Sequence, residues 1–390
     1  MVNDQSKYFV FNGKKSSDFN VWASGLNIFT TPRRNVERVS VPGRNGDLLI
    51  DDGTFENAEM LFKNCFIPNK FSENFTALSN YLSRQQGYKR LELSWLPDEY
   101  RMAAFNGDIE ASLKNWDGKG SFDLAFDCKP QRFLKSGEEP IVVMVPIVNG
   151  NTMRTSTYQF PAEGAKKNIR VTATSLPESG SISVQVVHHP TDSEAIDFSE
   201  VKTISTVGEP VNFAPRPNPA PYGSWDMTVT AGSGDNIDDI CLTLQCWVVV
   251  NGQEHYYDST FAREMTIKNP TGFECRPTIE CYGTAIPYLD VTAYDEDGAY
   301  ETWSLNGWDF TGTGAPYAVL DCENEYCYSP VNKENLTQYI TMHHDDEDGN
   351  SLPLCFPRMG ASETSLYMYY VGSGTSGEAF MFVYPNWFTI

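Results

Sequence analysis

Residues 32–66 read PRRNVERVSVPGRNGDLLIDDGTFENAEMLFKNCF, and the N-terminal part of the chain is organised around this stretch. Two extended arms, residues 36–41 and 48–50, lie on either side of the turn residues Pro42-Gly43 and Asn45-Gly46. Asn-Gly between apolar arms is the strongest short hairpin signal, because both central positions of the turn need positive φ. The stretch therefore predicts a twisted two-stranded ribbon.

The ribbon is predicted to project from a sheet and to return to it. A second break follows at Asp51-Asp52-Gly53, and residues 58–67 mix apolar and polar side chains as a half-buried strand does. Two strands alone are marginally stable in water, so the ribbon needs a surface to lie on. We expect a neighbouring copy of the chain to supply that surface. The residues predicted to carry the assembly are Arg38, Pro42, Gly43, Arg44, Gly46 and Asp47.

A series of short motifs runs through the first third of the chain. In order, they are Ser17-Asp18-Phe19, Pro32-Arg33-Arg34, the run from Val41 to Leu48, the run from Asp52 to Asn57, the run from Gly87 to Leu91, and the run from Phe126 to Pro130. No single motif is specific, but their order and spacing resemble the siphophage distal tail protein family.

The resemblance implies a structural role at the tip of a long non-contractile phage tail. Members of this family form a ring of six copies around a DNA-wide channel, join the tail tube to the tail tip and anchor receptor-binding components. The implied partners are the chain itself, the tail tube protein and the tail-tip proteins. DNA would pass through the lumen without specific binding. The implied location is the virion, after synthesis in the bacterial cytoplasm.

The resemblance resumes near the C-terminus. Motifs similar to the galectin-like C-terminal sandwich of these proteins are Asn269-Pro270-Thr271, Arg276-Pro277, Tyr282-Gly283, the run from Leu320 to Glu323, Phe356-Pro357 and the run from Tyr384 to Ile390. The acidic segment 345–350 and the loop 372–377 depart from the family pattern, so the resemblance leaves the loop lengths open.

The intervening residues 141–262 alternate apolar and polar side chains in several runs, which indicates an antiparallel β-sandwich. The proline-rich residues 215–221 are predicted to form an extended surface loop. By architecture and position alone, this insert resembles the carbohydrate-binding-module insertions of extended family members. Three domains are therefore predicted, with bounds 1–140, 141–262 and 263–390.

One helix is predicted, over residues 72–86, with Ser72 as its N-cap and Gly87 as its left-handed stop. Phe75, Leu78 and Leu82 are expected to share its apolar side, with Ala77 and Tyr81 beside them. The predicted fold class is mainly β: an α+β N-terminal ring-forming domain with this helix packed on a sheet, a β-sandwich insert, and a galectin-like C-terminal β-sandwich.

The composition is strongly acidic, with 51 Asp and Glu against 29 Lys and Arg and a formal net charge of -22. This balance argues against a nucleic-acid-binding surface, because phosphate contacts require clustered Lys and Arg. Two explanations of the acidity stay open: it gives solubility, or it lines an electronegative lumen that does not retain passing DNA.

The nine cysteines form no C-x-x-C pair, so buried thiols in a reducing compartment are expected and no metal site is predicted. No cofactor is predicted either. The N-terminus lacks the apolar region of a signal peptide. The longest apolar run, residues 141–148, falls short of the roughly 20 residues that a membrane helix needs, so no membrane association is predicted.

Motifs that suggest other chemistry are discounted. Residues 372–377 match G-x-G-x-x-G but lack a following helix, so a hairpin loop is expected rather than a phosphate site. The acidic loops 294–298 and 343–349 lack the full calcium-binding register, and a bound cation or a solvated turn is left open for each. His188 and His189 precede Pro190 and are expected in a loop. No catalytic constellation is visible, so the chain is predicted not to be an enzyme.

The insert is expected to bind host cell-surface saccharide through Trp247, with Tyr222 and Tyr256 as further candidates. In its strand, Trp247 has the parity of Thr243 and Gln245, opposite to the core parity, so it is predicted to face outward. The alternative is that Trp247 packs under a loop or against the neighbouring domain.

Three functions from different classes remain in view. The first is the structural tail-tip hub, with saccharide binding as an added role of the insert. The second is a stand-alone saccharide-binding adhesin. The third is a cell-wall hydrolase, which no catalytic constellation supports.

Overall fold

A computed structural model describes residues 7–23, 29–107, 109–114, 118–154, 165–190, 198–213, 223–250, 253–284, 286–294, 300–308, 317–345, 356–371 and 378–390. The chain divides into two compact units. The first unit comprises Met1–Gly137 and Trp387–Ile390, and the second comprises Glu138–Asn386.

The first unit is mostly strand, with one described α-helix, α1 (Phe71–Ser83). Its strands up to residue 134 are β1 (Phe9–Phe11), β2 (Lys14–Lys15), β3 (Arg34–Ser40), β4 (Asp47–Phe55), β5 (Ala58–Ile67), β6 (Lys89–Leu93), β7 (Leu96–Ala104), β8 (Ala111–Lys114) and β9 (Lys119–Leu134). A short 3-10 helix covers Ser16–Phe19, and another covers Lys135–Glu138 at the junction of the two units.

The second unit is built from further strands. They are β10 (Ile141–Met144), β11 (Ile147–Asn149), β12 (Thr152–Arg154), β13 (Ala165–Ser175), β14 (Ile182–Pro190), β15 (Phe198–Ile204), β16 (Pro210–Phe213), β17 (Gly223–Thr230), β18 (Cys241–Val250), β19 (Gln253–Ala262), β20 (Glu264–Lys268), β21 (Thr278–Thr284), β22 (Ile286–Tyr294), β23 (Tyr300–Trp308), β24 (Tyr317–Asp321), β25 (Tyr326–Tyr328), β26 (Ile340–Asp345), β27 (Glu363–Val371) and β28 (Glu378–Tyr384). Two more 3-10 helices cover Ile237–Asp239 and Thr337–Tyr339. The last strand, β29 (Phe388–Thr389), belongs to the first unit.

The long strand β9 organises the first unit. It pairs with β5 and β8 along its N-terminal half and with β7 and β29 along its C-terminal half. Strands β6, β1 and β2 continue the sheet beyond β7. Phenylalanines fill the core on one face of this sheet, and Phe9, Phe11, Phe62 and Phe126 contact one another as aromatic pairs. Each such pair adds about 0.5–1.5 kcal/mol beyond the burial of its area.

Helix α1 packs on this core through Phe71, Leu78 and Leu82, which are buried. The predicted cap is wrong: the helix begins at Phe71, and its N-cap is Lys70, which has a left-handed conformation. Phe71 N–H instead donates to Gly118 O, so a tertiary contact sets the start of the helix.

The predicted end of the helix also needs correction. Helix α1 ends at Ser83, before Gly87, which has φ 66° and lies in the turn that follows the helix. Ala77, predicted beside the apolar side of the helix, is exposed.

The second unit contains a nine-stranded sheet in the order β16-β13-β18-β19-β10-β28-β21-β24-β25. Two five-stranded sheets accompany it, in the orders β11-β12-β17-β14-β15 and β20-β27-β22-β23-β26. The predicted alternation is confirmed where side chains are described. For example, Ile169, Val171 and Ala173 of β13 are buried in one core with Val184 and Leu242.

The core cluster of the predicted insert draws its buried members from Met144 through Phe261, within residues 141–262. The nine-stranded sheet nevertheless crosses the predicted boundary at residues 262 and 263. Strand β10 pairs in parallel with β19 and antiparallel with β28. The division of the second unit into two domains, and the galectin-like character of its C-terminal part, stay predictions.

The mainly β fold class is confirmed by these sheets. One local expectation in the insert is wrong. His188 and His189 lie in β14 rather than in a loop, and His188 is fully buried. Its ladder partners are Phe198 and Trp225, so pairing on both sides holds this segment in the sheet.

Candidate functional site

The ribbon consists of β3 and β4, which pair only with each other among the described strands. The ladder runs from Arg34 opposite Phe55 to Ser40 opposite Asp47. The closing loop has six residues, 41–46, and contains both predicted turn pairs, Pro42-Gly43 and Asn45-Gly46. Of the Asn-Gly pair only Gly46 has positive φ, so the expectation of positive φ at both residues is wrong. The first turn of the loop is a β-turn in which Arg44 N–H donates to Val41 O at 3.2 Å.

Pro42 and Gly43 set the geometry of that turn. Pro42 occupies its second position and Gly43 its third, with φ 83°, which is the pattern of a type II turn. Gly46 also has φ 83°, directly before β4 begins. The positive φ alone disfavours an L-residue at both glycines. Steric contact adds nothing, because no other atom lies within 4 Å of the position that a Cβ would take.

The predicted break at Asp51-Asp52-Gly53 is a bulge inside β4 rather than an end of the strand. The register shifts between Arg34 and Val36, and Gly53 takes φ 77°. The Asp51 carboxylate accepts a hydrogen bond from Gly53 N–H at 2.9 Å, and that of Asp52 accepts one from Thr54 N–H at 3.0 Å. These bonds lower the pKa of both carboxyl groups.

The two faces of the ribbon differ in chemistry, because residues directly opposite in a ladder share a face. One face carries Glu37, Val39, Leu48 and Ile50, and we call it the apolar face. The other carries Arg34, Val36, Arg38, Ser40, Asp47, Leu49 and Asp51, and we call it the charged face. Leu48 is 43% exposed and Ile50 48% exposed, so the apolar face is open to solvent in the single chain.

All six residues predicted for assembly lie together at the far end of the ribbon and are exposed. The tip of the ribbon, residues 38–47, carries two arginines, Arg38 and Arg44, and one acidic residue, Asp47. The tip is therefore slightly basic on a chain whose net charge is -22. Further back on the charged face, Arg34 Nε lies 2.6 Å from Asp51 Oδ2 and the Arg34 guanidinium lies over the Phe55 ring.

The structure brings two of the three predicted saccharide residues together at the level of the backbone. Trp247 of β18 lies directly opposite Tyr256 of β19 in the ladder. Their side chains lie outside the part of the chain that the structure describes, and Tyr222 lies wholly outside it, so the predicted site stays a prediction. On the same strand, Leu242 and Leu244 are buried and Thr243 and Gln245 are half-buried, as the predicted parity requires.

A surface that sequence analysis missed lies on the C-terminal end of the nine-stranded sheet. Among the side chains that the structure describes, six aromatic ones share one face of β21, β24, β25 and β28 with Glu280, and we call this surface the tyrosine face. Its aromatic members are Tyr282, Tyr317, Tyr326, Tyr328, Phe382 and Tyr384. Its signal in the sequence is the aromatic alternation of Tyr326-Cys327-Tyr328 and Phe382-Val383-Tyr384, which indicates aromatic strand faces but not that the strands are neighbours.

Glu280 lies at the centre of the tyrosine face. Tyr282 Oη donates to Glu280 Oε2 at 3.1 Å, and the rings of Tyr282 and Tyr317 stack with centroids 4.2 Å apart. The Phe382 ring meets Tyr282 edge-on at 5.1 Å. Burial and the Glu280 carboxylate raise the pKa values of the Tyr282 and Tyr384 hydroxyls.

A groove of about 770 Å³ in the second unit is lined mainly by hydroxyl and carboxylate side chains, among them Thr174, Glu178, Asp239, Thr243 and Glu264. A further lining residue, Asp238, is paired with Arg263 at 2.7 Å. In the part of the chain that the structure describes, no group of three or more His, Cys, Asp or Glu side chains could hold a metal ion. The groove therefore offers hydrogen-bond acceptors without a metal-type cluster.

Seven cysteine side chains are described, and all seven are free thiols. Six of them are buried. Burial raises the pKa values of Cys128, Cys275 and Cys327 to about 12. None of the described helices combines the length and the apolar character needed to cross a membrane.

Comparison with known proteins adds no assignment. No protein-family model matches the chain, and no curated protein matches it. The resemblance to siphophage distal tail proteins therefore stays a prediction.

Proposed function

We propose that this chain is a structural component of a phage tail tip that assembles into a closed ring of six copies through its ribbon. The observation that carries the proposal is the ribbon itself. It pairs with no other described strand, and it exposes Val36, Leu48, Leu49 and Ile50. Two strands without a supporting surface are marginally stable, so a partner surface accounts for both features.

A second copy of the chain is the partner that the charges favour. The tip of the ribbon carries Arg38 and Arg44, whereas the whole chain is strongly acidic. Opposite charges steer association and suppress wrong registers. A contact between a ribbon and a different surface of the next copy is heterologous, and such contacts close into a ring when the rotation fits.

In this role the ring would join the tail tube protein to the tail-tip proteins in the virion, after synthesis in the bacterial cytoplasm. DNA would pass through its lumen without specific binding. The acidity of the chain supports this part of the proposal, because a surface rich in carboxylates does not retain phosphates. No enzymatic step belongs to the proposal, and no turnover of cell-wall polysaccharide is expected.

The test is the oligomeric state of the purified chain, measured by light scattering and by negative-stain microscopy. We expect six-fold rings, single or back to back. Replacing Leu48 and Ile50 together by Ser should abolish the rings. The matched control replaces Val201 and Val207 by Ser and should leave the rings intact, because these residues are 58% and 56% exposed but lie in the second unit. Monomers over a wide concentration range, with no rings in the images, would refute the proposal.

Saccharide binding by the insert is a second candidate function, either added to the ring or as the whole role of a stand-alone adhesin. The favouring observation is the register that sets Trp247 opposite Tyr256, because directly opposed residues share a sheet face. We expect the full chain to adsorb to host cells and to their cell-wall polysaccharide. Trp247→Ala should weaken adsorption, whereas Thr243→Ala should not. Equal adsorption by both variants and the unchanged chain would contradict this role of Trp247.

A further inference from the structure

We infer that the tyrosine face is a binding site for a neutral saccharide, with Glu280, Tyr282 and Tyr317 as its contact residues. This site lies on the C-terminal strands of the nine-stranded sheet and is distinct from the predicted site at Trp247. The inference does not rest on ring assembly or on binding by the insert.

The first argument is the exposure of the aromatic groups. The opposite parity of the same strands is buried, as Cys281, Leu320 and Met381 show. The core of these strands therefore lies mainly on the other side of the sheet, although Val319 on the tyrosine face is also buried. Burial in that core does not account for the aromatic residues of the tyrosine face. Tyr326 is 38% exposed, and Tyr282, Tyr317, Phe382 and Tyr384 are half-buried. A contiguous aromatic surface that is left partly open usually marks a contact site.

The second argument is the polar chemistry at its centre. Glu280 accepts a hydrogen bond from Tyr282, and a carboxylate has further acceptor positions on its two oxygens. A sugar ring offers C–H groups to aromatic side chains and hydroxyl donors to a carboxylate. Tyrosine suits such a ligand because its ring is apolar and its hydroxyl both donates and accepts.

The charge distribution disfavours two other ligand classes. An anionic ligand would meet the carboxylates of Glu280 and Asp321 on this face. A protein partner would bury Glu280 at the centre of an interface, where charged residues are depleted because an unpaired buried charge is costly. A neutral saccharide satisfies the carboxylate with hydroxyl groups and adds no charge.

One edge of the tyrosine face is already covered by the chain itself. Lys333 Nζ lies 4.4 Å from the centre of the Tyr328 ring, which itself stacks on Tyr326. The saccharide is therefore placed over the half that Glu280, Tyr282 and Tyr317 form.

The experiment is affinity electrophoresis of the full chain in native gels that contain dextran, galactan or mannan. We expect at least one of these polysaccharides to retard the chain. Glu280→Gln should weaken the apparent affinity at least about tenfold because it removes a charged hydrogen-bond acceptor, and Tyr317→Ala should do so because it removes an aromatic contact. Two matched controls should bind normally. Glu325→Gln changes an exposed carboxylate that is paired with Arg276, and Phe29→Ala removes an exposed aromatic ring of the first unit.

Thermal unfolding of each variant checks that its fold is retained. If Tyr317→Ala does not fold, Glu280→Gln carries the test, because it keeps the shape of the side chain. The inference is overturned if none of the three polysaccharides retards the chain or if Glu280→Gln binds as the unchanged chain does. If only Trp247→Ala abolishes the retardation, the polysaccharide binds to the insert, and the inference about the tyrosine face is also overturned. Light scattering reports on the ring separately, and the Glu280 variant should still assemble.

Discussion

Arg34 Nε and Asp51 Oδ2 lie 2.6 Å apart across the ribbon, at the point where β4 bulges. The same carboxylate accepts the N–H of Gly53. The Asp51 side chain therefore contacts both the bulge and the opposite strand. Exposed ion pairs contribute little to stability by themselves, so we regard this contact as fixing the shape of the bulge rather than as stabilising the fold.

This contact predicts how the bulge responds to acid. The pKa of Asp51 is lowered, first by the Gly53 N–H and then by Arg34. A lowered folded-state pKa means that the contribution is present above the ordinary value of 3.8 and is lost as the pH falls below it. The Gly53 amide resonance should therefore keep its neutral-pH position at pH 4.5 and shift with a midpoint below 3.8. In Asp51→Asn the acid shift should shrink. An unchanged titration in that variant would show that Asp51 does not hold the bulge.

The loop of the ribbon should be sensitive to side chains at its glycines. Gly43 and Gly46 both have φ 83°, and an L-residue in the left-handed region costs roughly 1–2 kcal/mol. Replacing both with Val should prevent ring assembly, as measured by light scattering, while the thermal unfolding of the sheet and helix stays unchanged. The matched control, Gly13→Val with Gly180→Val, should assemble normally. Those glycines lie outside the ribbon, have φ 81° and 72°, and have no atom within 4 Å of the position of a Cβ. Normal rings from the Gly43 and Gly46 double variant would remove the ribbon from the assembly.

Gly120 should tolerate no larger side chain while Phe71 is in place. A Cβ on Gly120 would lie 2.2 Å from Phe71 Cε2, and Phe71 is 5% exposed at the start of α1. Gly120→Ala should lower the free energy of unfolding by about 1–3 kcal/mol, which is the usual cost of overpacking. Combining it with Phe71→Leu should recover part of that loss. If urea unfolding shows that the two substitutions change the free energy of unfolding additively, the two residues do not clash.

The buried thiols should react slowly in the native chain. Burial raises the pKa values of Cys128, Cys275 and Cys327 to about 12, so almost no thiolate is present at pH 8. Iodoacetamide at pH 8 should leave these three unlabelled in the folded chain and label them in urea, as peptide mapping would show. Because the folded pKa values are raised, the free energy of unfolding should decline as the pH rises from about 9 towards 12. Rapid native labelling of Cys128 would contradict its burial.

The sequence by itself determined the elements that depend on local patterns. Two-residue alternation revealed the strands of the insert, where Ile169, Val171 and Ala173 do face a core. The loop of the ribbon follows from glycines that accept positive φ, and Gly43 and Gly46 both have it. The ribbon was foreseen for the same reason, since its two arms and its glycines lie within one short stretch.

Only the tertiary structure decided the features that depend on distant residues. The helix starts at Phe71 rather than at a Ser72 cap, because its first N–H donates to Gly118 and its first ring packs on Gly120. Phe388 near the C-terminus pairs with Phe133, and no local sequence pattern predicts this contact. The tyrosine face needs four strands from separate parts of the sequence. Each strand shows an ordinary alternation, and only the register of the sheet places Tyr317 beside Tyr282 and both near Glu280.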